Sequence, residues 1–136
     1  MGVGVMEKKA VRFTKEEINV LKRIAKEQKL KGAYILDKYT DDEIIASFNG
    51  AGSSAAPELE RYILTKLLKK KLPAVLIHDM MYRQGGTDED FKRVNDELRD
   101  NILALDGDSK SAWWRFVGDK ARDYSNERGR PGWGTV

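Results

Sequence analysis

A threonine followed three positions later by an acidic residue occurs at Thr14/Glu17, Thr40/Glu43 and Thr87/Asp90, each time just ahead of apolar residues at helical spacing. In such a capping box the hydroxyl and the carboxylate occupy backbone N–H groups that the start of a helix leaves open. The pattern therefore predicts three helix N-termini. Behind them, Ile18, Leu21, Ile24 and Ala25 predict a helix over about 15–28, Ile44, Ile45 and Phe48 a short one, and Phe91, Val94, Leu98, Ile102 and Leu105 a long one. Strand-type alternation is almost missing, so the expected fold class is mainly α, a single domain with short connections.

The remaining segments fit that plan. Small residues at Asn49-Gly50-Ala51-Gly52-Ser53-Ser54 suit a loop whose backbone turns sharply or approaches a ligand, and Pro57 suits a first helical turn. A helix is expected over 58–71, with Leu59, Tyr62, Ile63, Leu64, Leu67 and Leu68 on its apolar face and Lys66, Lys69, Lys70 and Lys71 gathered at the C-terminal end, where the helix dipole favours cations. Residues 74–83 read as a mostly buried helix ended by Gly85-Gly86. Since only Gly85-Gly86-Thr87 joins it to the long helix, the two are expected to pack antiparallel. A last helix over about 110–126 carries Trp113, Trp114, Phe116, Val117, Ala121 and Tyr124. The run 34–36 is too short to assign. The expected organisation is an N-terminal tail over 1–13, a helical domain over 14–127 and a loose tail over 128–136.

Several chemistries drop out on composition. The chain has no Cys and one His, which removes disulfides, thiol nucleophiles and Cys-based zinc sites. No apolar run approaches the roughly 18 residues of a transmembrane helix, and Lys8 and Lys9 are not followed by the apolar stretch of a secretory signal. The expected location is cytoplasmic or virion-associated. Net charge is only +3, with the basic excess in the first half, a balance that does not by itself point to nucleic acid. Arg122, Arg128 and Arg130 with Trp133 form a basic patch, diluted by Asp123 and Glu127.

The single histidine is the first candidate for chemistry. His78 is followed by Asp79, and Tyr82 lies one turn on along the same face, within the apolar surroundings of Val75, Leu76, Ile77, Met80 and Met81. One reading is a core histidine bonded to a carboxylate with Asp79 facing solvent; the other is a functional cluster. Together and in order, Phe48-Asn49-Gly50-Ala51-Gly52, then His78-Asp79-Met80-Met81-Tyr82, then Asn95-Asp96 resemble the phospholipase A2 family, which pairs a Gly-rich calcium loop with an H-D-x-x-Y helix and an Asp on the next long helix. The stretch 77–102 is especially similar to small, cysteine-free phospholipase A2-like proteins of bacteria and their phages. The likeness covers about 48–124 and leaves residues 1–47 without a counterpart.

The resemblance implies a calcium-dependent lipid esterase. Phe48, Gly50 and Gly52 would give backbone carbonyls to calcium and Asp79 its carboxylate, while the Gly50 N–H would help hold the oxyanion. His78 would be the general base, Asp96 would orient it, and Tyr82 would brace Asp96. The implied partner is a phospholipid or membrane surface.

Helical geometry leaves one point open. At about 100° per residue, Asp96 falls nearly opposite the apolar stripe, and Asn95 lies nearer to it. Either the helix is sandwiched, with Asp96 facing His78, or Asp96 is a surface residue. The Lys cluster and the tryptophans also carry two readings, a surface that rests on anionic lipid or a helix end and a packed Trp pair. The rival function is a non-catalytic phage or bacterial structural or interaction protein that keeps the same helical scaffold.

Overall fold

A computed structural model describes residues 13–48 and 69–134. The described residues are mainly α-helical, with five α-helices: α1 (Lys15–Glu27), α2 (Asp41–Ser47), α3 (Leu72–Gln84), α4 (Asp88–Ala104) and α5 (Ala112–Arg128). Short 3-10 turns lie at Ala33–Asp37, Lys69–Lys71, Leu105–Lys110 and Arg130–Gly132. Among the described residues there is no strand. The Gly50 loop and the greater part of the expected 58–71 helix lie outside the described residues.

All three capping boxes form. Thr14, Thr40 and Thr87 each accept from the backbone N–H three residues on, and Glu17, Glu43 and Asp90 each reach back to the cap backbone N–H. A fourth start, α5, is capped by Ser111, whose hydroxyl accepts from the Trp114 N–H at 3.1 Å. Each such cap contributes about 1 kcal/mol.

α3 is the central helix. Pro73, Ala74, Val75, Leu76, Ile77, Met80 and Met81 are all buried, so nearly its whole circumference is covered, by α1, α2, α4 and the 33–37 turn. Met81 meets the start of the 33–37 turn at Gly32, whose left-handed backbone (φ 79°) favours glycine and where a Cβ would press on the end of the Met81 side chain at 2.8 Å. α4 presents Phe91, Val94, Leu98 and Ile102 as one face, as its periodicity predicts, and packs on both α3 and α5. Along the α3/α4 seam, Tyr82 meets Phe91, His78 meets Asn95, and Ala74 shares a crevice with Leu98 and Asn101. Pairing in that descending order makes the two helices antiparallel.

Two polar residues deep in the structure act as ties. Asn101, 2% exposed, donates to the Lys31 carbonyl at 2.9 Å and accepts from the Lys31 N–H at 2.8 Å, pinning the turn after α1 to α4. Lys71, expected on a cationic helix end, is 1% exposed instead. Its ammonium donates to Asp108 at 2.6 Å and to the Leu105 carbonyl at 2.9 Å, and stands 4.5 Å from the Trp114 ring centre. Burial of the long aliphatic stem, together with a carboxylate, a carbonyl and an aromatic face around the charge, explains the difference. Lys69 and Lys70 are exposed.

The end of the chain also differs from expectation. Trp133 packs edge-on against Tyr82 (5.2 Å between centroids) and Phe91 (5.4 Å), and its indole N–H donates to the Gly86 carbonyl at 3.2 Å. The Gly134 N–H donates to the Tyr82 carbonyl at 2.7 Å. Gly85, with φ 74°, faces Gly134 so closely that a Cβ there would sit 2.7 Å from the Gly134 Cα. Residues 128–134 thus close over the α3–α4 turn rather than trailing away from it.

Candidate functional site

α3 carries His78, Asp79 and Tyr82, and α4 brings Asn95 opposite them. His78 Nε2 lies 2.9 Å from Asn95 Oδ1, and the Tyr82 hydroxyl donates to the same oxygen at 2.8 Å. Asn95 is 0% exposed and its amide nitrogen donates to Asn126 Oδ1 on α5 at 2.9 Å. The imidazole and phenol rings are 4.4 Å apart at 42°. Phe91 and Trp133 wall the far side of Tyr82.

Asp96 does not occupy this position: it is exposed, and the acceptor facing His78 is the neighbouring Asn95. The physical reason is the helix itself. Asn95 lies beside Val94 and Leu98 on the buried face, and a step of about 100° carries Asp96 off it. An amide is also a cheaper group to enclose than a carboxylate, since it brings no charge.

The electrostatics follow from that exchange. Burial pushes the His78 imidazole down to about 4, and the Asn95 hydrogen bond opposes the shift only in part. Its hydrogen-bond partner is an amide rather than a carboxylate, and His78 is neutral at physiological pH, with one ring nitrogen free to accept a proton. Burial holds the Tyr82 phenol well above its ordinary range, so it remains a donor to Asn95. Burial likewise raises the Asp79 carboxyl well above the usual carboxylate range. Among the described residues Asp79 has no hydrogen-bond or ion-pair partner, and it is half-buried beside the histidine.

The crevice between α3 and α4 beside His78, lined by Ile77, Met81, Val94 and Leu98 among others, is too narrow for a water molecule. Nε2 is engaged by Asn95, which leaves Nδ1 as the ring nitrogen available to another partner. Phe48, the expected carbonyl donor at the head of the Gly-rich loop, ends α2; its side chain is buried and stacks on Phe13 with centroids 4.7 Å apart. Arg83 of α3 anchors the end of α2 by donating to the Glu43 carbonyl (3.2 Å) and the Ser47 hydroxyl (2.9 Å). Gly50 and Gly52 lie outside the described residues. Among the described residues no group of three or more His, Cys, Asp or Glu side chains is placed to hold a metal.

On α5, Trp113 and Phe116 are exposed and stack at 6.0 Å, with the Lys120 ammonium 5.6 Å from the Phe116 ring centre, whereas Trp114 is turned inward over Lys71. The two tryptophans therefore do not form one packed pair: Trp114 is packed and Trp113 is exposed. No helix of the described residues is long and apolar enough to cross a membrane.

Sequence reasoning missed Asn126 and Gly129, and put Trp133 in a basic patch rather than against Tyr82. Gly129 ends α5 directly against the Tyr82 hydroxyl, with no space for a Cβ between them. For Trp133 a signal existed, a large aromatic within a Gly- and Pro-rich tail, which a solvated tail has no need of. For Asn126 there was none. Compared with protein-family models, curated proteins and solved structures, the chain finds no match.

Proposed function

We propose that the chain is a calcium-dependent lipid esterase of phospholipase A2 type, with His78 as general base and Asp79 as the side-chain ligand of the cation. The observation that carries this reading is the pair itself: a neutral histidine whose Nε2 is tied to Asn95, next to a half-buried carboxylate without a cation or donor of its own among the described residues. A desolvated, unpartnered carboxylate is costly unless something positive binds it, and an oxygen donor suits a hard cation. Asp79 would hold calcium together with the backbone carbonyls of Phe48, Gly50 and Gly52, as the resemblance implies. Bound there, calcium supplies positive charge for the ester carbonyl and its oxyanion.

The chain's own groups supply the rest. Nδ1 of His78 takes a proton from water as the water oxygen bonds to the ester carbon, and returns it to the departing alkoxide, so the carboxylic acid and the alcohol form with no acyl-enzyme. Asn95 and Tyr82 keep the imidazole plane fixed during both transfers, and the Gly50 N–H is the oxyanion donor that the resemblance implies. Trp113, Phe116 and Lys120 offer an aromatic and cationic surface suited to a phospholipid interface.

A second reading, a non-catalytic structural or interaction protein that retains the scaffold, is favoured by Asn95. Where a carboxylate would raise the basicity of His78, the amide leaves it low.

Calorimetry with calcium, and fatty-acid release from phospholipid vesicles, test the two. The esterase reading expects calcium binding that Asp79→Asn weakens, and hydrolysis that His78→Gln removes while calcium binding persists. Neither calcium heat nor released fatty acid would leave the scaffold reading standing.

A further inference from the structure

An amide has two unlike ends where a carboxylate has two alike, and at Asn95 this difference matters. With Oδ1 toward His78, the imidazole donates from Nε2 and keeps its lone pair on Nδ1. Turned over by 180°, the same amide would donate to Nε2, the ring proton would move to Nδ1, and no lone pair would face away from α4. The Tyr82 hydroxyl does not settle the matter, because a hydroxyl can donate to Oδ1 or accept from Nδ2. Asn95 is fully buried, so water does not settle it either. The remaining contact is at the other end of the amide, where Nδ2 donates to Asn126 at 2.9 Å and Asn126 presents its oxygen rather than its own donor end.

We propose that Asn126 is a positioning residue: by accepting from Asn95 Nδ2, it holds Oδ1 toward His78 and so selects the imidazole tautomer with the proton on Nε2 and Nδ1 unprotonated. It acts through Asn95 and touches no reacting atom. Its consequence for hydrolysis rests on the reading of His78 as the base, but the tautomer exists whether or not the chain turns over a lipid. Asn126 lies in the last turn of α5, and its own side chain is exposed, so substitution there leaves the core intact.

His78 is the only histidine, so 15N-histidine labelling reports one ring without assignment ambiguity. The two nitrogens are read by their couplings to the ring C–H protons, at neutral pH, on the calcium-free full-length chain. The wild type is expected to show a protonated Nε2 and an unprotonated Nδ1. Asn126→Leu should shift the tautomer ratio toward Nδ1–H by about fivefold, equivalent to about 1 kcal/mol, the net worth of one neutral hydrogen bond. Asn126→Asp, which can only accept, should retain the wild-type tautomer, and Asn126→Lys, which can only donate, should favour the opposite one. Adding Asn95→Asp to Asn126→Leu should restore Nε2–H, since a carboxylate has no donor end to present. A folded Asn126→Leu protein with the wild-type ratio overturns the proposal, as does the same tautomer in the Asp and Lys variants. Loss of lipid hydrolysis in every variant and the wild type, with the tautomer shifts as expected, would overturn the esterase reading and leave the role of Asn126 in place.

Discussion

Lys71, in the turn that leads into α3, and Asp79, about two turns further along, each bring an ionisable group into the protein, and the two are treated in opposite ways. Around Lys71 the fold has assembled a carboxylate, a carbonyl and an aromatic face, all within a few ångströms of the ammonium. Around Asp79 the described residues place no donor and no cation, and burial alone sets its carboxyl far above the usual range. A charge that is satisfied where it lies has a structural explanation. A charge that is enclosed and left unmatched has none within the described fold, and it stands beside the sole histidine. Burial of charge is therefore not the mark of a site; what distinguishes one is burial without compensation.

The largest test of this contrast is Lys71→Met. Removing the ammonium leaves the partly buried Asp108 and the Leu105 carbonyl facing an apolar side chain, and breaking the pair in this way costs about 3 kcal/mol. Urea denaturation should show that loss without any change in calcium binding. A neutral result would break the contrast from the structural side.

His78 supplies the next. Its folded value of about 4 lies below its ordinary 6.5, so the unfolded chain binds the proton more readily. The stability this represents is fully present above pH 6.5 and is lost as pH falls through the window down to about 4, amounting to roughly 3 kcal/mol. Unfolding free energies measured in calcium-free buffer across that window should therefore fall with acidification, and His78→Gln should flatten the slope.

Gly129→Ala follows at about 2 kcal/mol, because the added methyl group meets the Tyr82 hydroxyl head-on in a packed region. The His78 ring resonances should move with it, since Tyr82 and His78 share Asn95 as acceptor. Thermal melts together with the histidine spectrum check both halves.

The smallest effect has the opposite sign. Asp79 has a raised folded value, so its contribution is favourable only below the ordinary carboxylate range and is lost as pH rises through the folded value. At neutral pH the charged form is a burden, and Asp79→Asn should stabilise the calcium-free protein by about 1 kcal/mol. Calcium should raise the melting temperature of the wild type by mass action and that of the Asn variant by less. A destabilised Asn variant would show that Asp79 is a structural residue like Lys71.

Local chemistry was open to reading in one dimension. A capping threonine and its acidic partner are three residues apart, so Thr14, Thr40 and Thr87 marked their helices from sequence alone, and the stripe from Phe91 to Ile102 gave the buried face of α4 because helical period converts spacing into direction. The same period turned Asn95 inward and Asp96 outward, and here direction outweighed the resemblance, which had put a carboxylate against His78. The short Gly85-Gly86-Thr87 turn likewise pointed to α3 and α4 as neighbours in space, and their antiparallel pairing is seen along the seam from Tyr82/Phe91 to His78/Asn95. What tertiary structure alone decided involves partners far apart along the chain. Lys71 changed from a surface cation to a buried tie because Asp108 and Leu105 arrive from the end of α4, and the loose tail became a wall of the site because Trp133 finds Tyr82 and Phe91 across two helices. Asn126 meets Asn95 over a separation of 31 residues. No periodicity encodes such meetings: they depend on how helices of given length and face settle against one another, a choice made by the packing of the whole core.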